Sequence, residues 1–448
     1  MVDRNNSFLK YLGTYLFRSF AVFGFAVSVG IVVISLNTSP SISSSSKNDD
    51  TYRQLTLFGD AFELIRDEYV EEVDDKTLIE DAINGMLSNL DPHSNYLPDD
   101  AFKKAQERTK GEFGGLGIEV TMEDGYVKVV SPIDDTPAAK AGLEAGDLVV
   151  TIDDQDVLGM SLSEAVSIMR GPVGTDIHLT ILRGTDNFFD VTITRDVIKM
   201  RAVRHKSYGD IGYIRITGFS QQTTPGLEKA VATLKDTHGD ALKGVVLDLR
   251  NNPGGLLNES ISVSDAFLEE GEIVSTRGRH ESNNSRHYAT SGDLLDGLPI
   301  VVLINSGSAS ASEIVAGALK DHNRAVIMGT RSFGKGSVQS IIPMSGHGAV
   351  RLTTARYYTP SGTSIQSTGI EPDIIVDRAV LEEASTSGVR EEDLRGALEN
   401  TSNDDDAAAG EKTDEAGEDK DDDTITDFQL ARAIDLLEGL SVFNARLN

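Results

Sequence analysis

The sequence predicts a multidomain α/β protein, and three observations carry that expectation. The chain has 448 residues, too many for one ordinary domain. Between Gly209 and Val376 apolar strands alternate with helical stretches, the pattern of a layered domain on a largely parallel sheet. From Gly111 to Asp196 short strands are punctuated by glycine, which marks a smaller separate module.

The elements follow in chain order. Phe20–Leu36 runs apolar without a charge, after a weaker apolar stretch from Tyr11 to Phe17. Together they are long enough for about 30 Å of hydrocarbon. Arg4, Lys10 and Arg18 precede or open the run and Asp49 and Asp50 follow it, which puts the N-terminus in the cytoplasm and the rest outside. A cleaved signal peptide is the competing reading. No small-x-small site directly follows Leu36, so an uncleaved anchor is expected within residues 1–50, ending in a serine-rich tether, Ser39–Ser46. Residues 51–110 read as helical. Leu57, Phe58, Phe62, Ile65 and Tyr69 keep one helical period and Leu78, Ile79, Ala82, Ile83 and Met86 another; a short third helix follows the break at Asp91-Pro92-His93-Ser94-Asn95. Apolar faces of this kind pack on a domain or on a second chain, so this is the candidate dimerisation region.

Residues 111–196 contain Gly114-Gly115-Leu116-Gly117-Ile118, a glycine-rich turn feeding a strand. The run Pro137 to Leu143, then Glu144-Ala145-Gly146-Asp147, reads as a short helix, a tight turn and a strand ending at Ile152. Leu162–Met169 is a second helix, stopped by Gly171-Pro172. This order resembles a PDZ domain, with Leu116, Gly117 and Ile118 as its binding loop. Backbone N–H groups there can hold a terminal carboxylate while the peptide adds a strand to the sheet edge.

In residues 197–378 the strands are expected at Ile211–Ile216, Val245–Leu249, Ile300–Ile304 and Ala325–Met328, and the helices at Leu227–Leu234, Asn258–Leu268 and Ser312–Asp321. Loops at strand ends are where the site of such a domain lies. Residues 379–424 decline into Glu, Asp, Ala, Gly and Ser, too polar to order themselves. Residues 425–448 return as an amphipathic helix through Phe428, Leu430, Ala431, Ile434 and Leu437, expected to dock on the fold.

The formal charge of −30 argues against nucleic acid as a partner. With no cysteine, disulfides, zinc-thiolate sites and a cysteine nucleophile are excluded. The histidines lack ligand spacing and no H-E-x-x-H occurs, so neither metal nor organic cofactor is implied.

Chemistry points to Asn305–Glu313, a serine-rich segment between a buried strand and a helix. A helix N-terminus offers N–H groups and partial positive charge, so a serine there can attack a carbonyl whose oxyanion falls among them. Serines also cap helices routinely, and Ser308, Ser310 and Ser312 all remain open on this ground. The nucleophile needs a base. His322 lies twelve residues along the same helix, about 18 Å from Ser310. Lys335, in Ser332-Phe333-Gly334-Lys335-Gly336-Ser337-Val338-Gln339, can return beside the serine, and serves as base once burial has lowered its pKa. Gln339 is placed to orient the amine. A nucleotide-binding loop through Gly329, Gly334 and Lys335 fails, because Gly336 stands where Ser or Thr is needed and a strand follows instead of a helix.

Taken together, Ser310-Ala-Ser-Glu, Phe333-Gly-Lys-Gly-Ser-Val-Gln339 and the preceding module resemble the carboxyl-terminal processing (tail-specific) proteases, over roughly Tyr52 to Asp377 plus the last helix. The resemblance implies a crotonase-like, ClpP-like α/β/α protease core with an inserted-type PDZ domain. Its spacing of 25 residues from serine to lysine selects Ser310. It further implies an oxyanion hole from Ala311 and one glycine of Leu247-Asp-Leu-Arg-Asn-Asn-Pro-Gly254-Gly255, with Gly254 preferred and Gly255 open. Tyr357–Gly362 and Gly369–Asp373 match the family too, as structural elements of the cleft. Expected partners are protein substrates with apolar C-termini, the bacterial inner membrane through the anchor, a second copy of the chain, and a lipoprotein adaptor of the kind some members use. The catalytic part is expected in the periplasm, with Arg170 as the residue coupling PDZ domain and protease. The rival reading is a non-catalytic PDZ scaffold that captures protein tails; loss of Ser310, Lys335 or Gln339 would mark it, and all three are present.

Overall fold

The computed structural model describes residues 45–133, 135–380 and 425–447. The apolar run Phe20–Leu36, most of the serine-rich tether and the acidic stretch Asn403–Asp423 lie outside these residues. Among the described residues no helix is long and apolar enough to cross a membrane. The chain divides into one unit of residues 1–82 and a second, Ile83–Asn448. Helix α1 (Ser45–Glu68) belongs to the first, and α2 (Asp75–Ser88) runs across the division.

Residues 51–110 differ in one respect from the helical reading. After the Asp91–Ser94 turn, Asn95–Leu97 forms strand β1, and the third helix, α3 (Asp99–Lys110), is a full three turns. Three residues carry too little periodicity to announce a strand. β1 exists through tertiary pairing, Asn95 to Leu97 running antiparallel to Arg351 to Ala349. Gly111, left-handed at φ 69°, ends α3 by donating its N–H to the Glu107 and Arg108 carbonyls.

The glycine-punctuated module begins with β2 (Glu112–Gly115), so Gly114 and Gly115 are strand and only Leu116-Gly117 turns. Then come β3 (Ile118–Glu123), β4 (Tyr126–Pro132), α4 (Pro137–Lys140), β5 (Leu148–Ile152), β6 (Gln155–Asp156), α5 (Leu162–Met169), β7 (Asp176–Arg183), β8 (Asn187–Thr194) and β9 (Asp196–Lys199). The sheet order is β3-β4-β5-β7-β8, with β6 on β5, which leaves β3 at an edge. β2 and β9 pair as a two-stranded stem, so the module is an insertion carried on a ribbon. Its core packs Val127, Val149, Ile177, Leu179 and Ile181 against Ala138 and Ala165 of the helices. Helix α5 starts at a capping box in which Ser161 and Glu164 exchange hydrogen bonds.

The remaining elements build a three-layer core. They are β10 (Val203–Tyr208), β11 (Ile211–Ile216), α6 (Thr223–His238), β12 (Gly244–Asp248), α7 (Leu257–Asp265), β13 (Glu272–Gly278), β14 (Ser285–Tyr288), β15 (Ile300–Ile304), α8 (Ala311–Asp321), β16 (Ala325–Gly329), β17 (Ser337–Pro343), β18 (Ala349–Tyr358), β19 (Ile374–Ile375) and α9 (Phe428–Leu447). The central sheet runs β10-β11-β12-β15-β16-β19, parallel except for β10. Alternation sorts its residues: Val245 and Leu247 face α6, α7 and α8, while Val246, Val301 and Leu303 face Leu430, Ala433, Ile434 and Leu437 of α9. Both faces are covered, so every residue of β12 and β15 is buried. A second, antiparallel sheet runs β1-β18-β13-β14, with β17 on β18. It carries the lysine loop on its edge.

Candidate active site

Strand β15 delivers the chain to Asn305, and the next five residues turn it into α8. Small residues make the turn feasible, and hydrogen bonds sort its serines. Ser308 is fully buried and donates to the Leu249 carbonyl at 2.8 Å; Ser312 is fully buried and donates to the Asn252 carbonyl at 2.9 Å. Both are structural. Ser310 is half-buried and lines a cavity of about 720 Å³ together with Lys335, Gln339, Ala311 and Tyr357. It adopts φ 58° and ψ −113°, a conformation L-residues avoid, and it persists because its surroundings over-determine it.

Glu313 supplies much of that restraint. It is fully buried, and its carboxylate accepts from four donors: the Ser310 N–H (2.7 Å), the Ser332 hydroxyl (2.6 Å), the Gly334 N–H (2.7 Å) and the Lys335 N–H (2.9 Å). One side chain therefore holds the main chain of both the serine and the lysine. The S-x-x-E spacing of a capping box was the available signal, but it says nothing of the second loop. Tyr357 adds a further brace. Its buried hydroxyl donates to the Lys335 carbonyl and sits against the Ser310 side chain. Burial pushes its phenol far above the ordinary range.

Burial, reinforced by the nearby Arg351 charge, pushes the Lys335 ammonium below its ordinary value, against the opposing pull of Asp91 and Glu313. Gln339 shares the cavity wall with Lys335, while its amide nitrogen donates to the Ser337 hydroxyl at 2.9 Å and the Thr353 hydroxyl at 3.2 Å. Thr353 in turn donates its N–H to Ser94, whose hydroxyl donates to Asp91 at 2.7 Å. The Asp91–Ser94 turn, which sequence reasoning treated only as a helix break, thus buttresses the strand that holds Gln339. His322 lies at the other end of α8, its ring against the Glu272 carbonyl.

The Asn251–Gly255 turn packs directly on the serine. A Cβ on Gly254 would lie 2.9 Å from the Ser310 Cβ and 2.8 Å from the Ala309 carbonyl oxygen, at φ 99°. Asn252, fully buried, fixes this turn by donating to the Ile216 carbonyl and accepting the Gly254 N–H at 2.9 Å. Gly255 reaches the cavity wall, as does Ala311, the first residue of α8. Leu116 buries its side chain in the core of the inserted module, Gly117 turns beside Thr136, and Ile118 opens the edge strand β3. Arg170 caps α5, stacks 4.2 Å over the Phe113 ring in the stem, and approaches Glu107 of α3 at 3.8 Å.

Three segments of the chain match known protein families. Residues 210–376 match Peptidase family S41, residues 128–183 a PDZ domain, and residues 29–101 the activating protease CtpB N-terminal domain. A carboxy-terminal-processing protease of Bartonella bacilliformis is 55% identical over 383 residues, 85% of this chain and 87% of that protein. The chain belongs to the carboxy-terminal-processing protease family. As a carboxy-terminal-processing protease it is a serine-type peptidase. A probable CtpA-like serine protease of Staphylococcus aureus strain COL is 33% identical over 84% of this chain and 75% of that one. Among solved structures, a photosystem II D1 C-terminal processing protease aligns over 72% of this chain and 92% of its own at 29% identity and a TM-score of 0.42.

Proposed function

We propose that this carboxy-terminal-processing protease cleaves peptide bonds by a Ser310–Lys335 dyad, acting on proteins whose apolar C-terminal tails its PDZ domain captures. The carrying observation is that Ser310 and Lys335 line one cavity while a single buried carboxylate, Glu313, holds the backbone of both. Neutral Lys335 takes the Ser310 proton as the hydroxyl attacks the scissile carbonyl, then gives it to the leaving amine. Water releases the acyl-enzyme. The oxyanion falls to the Ala311 N–H, free of an intrahelical partner by its position, and within the glycine turn to Gly255, which lines the cavity, rather than to the preferred Gly254, whose N–H already donates to the Asn252 side chain. Gln339 acts as a positioning residue beside Lys335.

For tail capture, the support is the edge position of β3 next to the Leu116-Gly117-Ile118 turn, which suits addition of a peptide strand. Arg170 is the proposed link between tail binding and catalysis, since it touches both the stem and α3, the helix that walls the cavity. The apolar run Phe20–Leu36 supports a single-pass anchor in the bacterial inner membrane, with envelope proteins as substrates in the periplasm. Pairing of two copies and a lipoprotein adaptor belong to the same reading.

The test is acid-quench trapping with a peptide ester, followed by mass spectrometry of the fragment spanning Asn305–Glu313. Acylation is expected in the wild type and in Ser308→Ala, and absent in Ser310→Ala. Acylation that persists in Ser310→Ala would overturn the assignment.

A further inference from the structure

The charged residues that wall the catalytic cavity are all cations: Lys104, Arg108, Lys335 and Arg351. The chain carries 71 Asp and Glu against 41 Lys and Arg, so a wall whose charged members are all cations runs against the composition; Asp91 and Glu313, which act on Lys335, are not part of it. Lys335 is accounted for as the base. Among the described residues no carboxylate forms an ion pair with any of the other three.

Their placement is orderly. Lys104 and Arg108 stand one turn apart on α3, on the face whose Ala101, Ala105 and Thr109 also line the cavity. The acidic residues of α3 point elsewhere in the pattern, Asp99 and Asp100 in its first turn and Glu107 toward Arg170. Arg351 lines the same cavity from β18, opposite Asn95 of β1, close enough to Lys335 for its charge to be felt there. Like charges gathered round one cavity repel each other, and a bound anion relieves that repulsion. The same wall has apolar members in Phe219, Leu256, Ile314 and Val338.

We propose that the cavity is a carboxylate-reading subsite: Lys104, Arg108 and Arg351 select substrate segments that present a carboxylate next to an apolar residue at the cleavage site. This rests on the dyad reading, and deepens it by naming the substrate class. The carboxylate has two sources, an Asp or Glu side chain within the cleaved segment or the chain terminus itself.

The experiment uses the full chain and matched internally quenched peptides. One pair shares a tail and differs only in Glu/Asp against Gln/Asn beside the apolar residue. The other is a short neutral peptide with a free or an amidated C-terminus. The acidic member of at least one pair is expected to be cleaved with a kcat/KM about ten- to hundredfold higher, as for a hydrogen bond to a charged group. The pair that shows it names the source. The preference should shrink as salt rises and fall toward one in the Lys104→Ala/Arg108→Ala double variant, whose exposed positions do not threaten the fold. A ratio near one for both pairs in the wild type overturns the inference, and so does a preference that the double variant retains. Neither result touches the dyad, which fails where Ser310→Ala or Lys335→Ala still cleaves.

Discussion

Ser310 sits in an unfavourable backbone conformation, and Glu313 is the residue whose interactions explain how it stays there. Glu313→Gln keeps the shape but turns one acceptor into an NH₂ group that faces donors. The expected result is a loss of about 1–3 kcal/mol in stability and a larger fall in kcat than Ser332→Ala gives, since that variant removes only one of the four donors, read by thermal unfolding and peptide hydrolysis. Lys335 makes a second prediction, with the sign set by its role. The base must be neutral, and its neutral fraction rises as pH passes its pKa. Burial and Arg351 lower that pKa, so the acid limb of kcat/KM should lie below the ordinary lysine value of about 10.4. Arg351→Gln removes a like charge and should move the limb to higher pH. A limb that stays in place, or moves down, would show that Arg351 does not act on Lys335.

At the scale of elements, β12 and β15 were legible in the sequence because burial on both faces leaves apolar runs of strand length. Helix α5 was legible to the residue, Leu162–Met169, because a capping box starts it and Gly171-Pro172 ends it. Strand β1 and the β13–β14–β18 sheet were not, since β1 is only three residues long and their pairing joins distant segments. The serine was found among its neighbours only by a family spacing of 25 residues. Its buried partners, by contrast, declare the answer through hydrogen bonds that no sequence pattern records. The stem and α3 carry the element-scale prediction. The Arg170–Glu107 pair is partly exposed and contributes about 0–1 kcal/mol, and the stacking on Phe113 about 0.5–1 kcal/mol, so Arg170→Gln should lower stability by no more than about 2 kcal/mol. If Arg170 couples tail binding to catalysis, the same variant should lose the rate gain that an added apolar tail peptide produces. Full stimulation in the variant would remove it from the coupling.

For the molecule as a whole, the last helix closes the third layer and is locked beside the oxyanion turn. Arg250 donates to Asp248 (2.7 Å), Asp427 (3.0 Å) and Gln429 (2.9 Å), and Asp248, fully buried, also accepts from Tyr213 and Arg215. A buried charge that loses its partner costs about 3–5 kcal/mol, so Arg250→Met should be strongly destabilised in denaturant titration. Burial opposes ionisation of Asp427, yet the Arg250 guanidinium holds its carboxyl below the usual range. The stability this adds is complete above the unfolded value near 3.9 and is lost as pH falls through the depressed folded value. In Arg250→Met that acid transition should move up toward the ordinary carboxylate range.

The central claim is that neutral Lys335 activates Ser310. It is tested most directly by cleavage of an unstructured protein with an apolar tail, comparing the wild type with Ser310→Ala and Lys335→Ala. The prediction is cutting by the wild type and a loss of at least about 10³-fold in each variant, with unchanged thermal unfolding. Lys335→Ala that still cleaves at near wild-type rate would contradict it, and would send the search for the base to another residue of the same cavity.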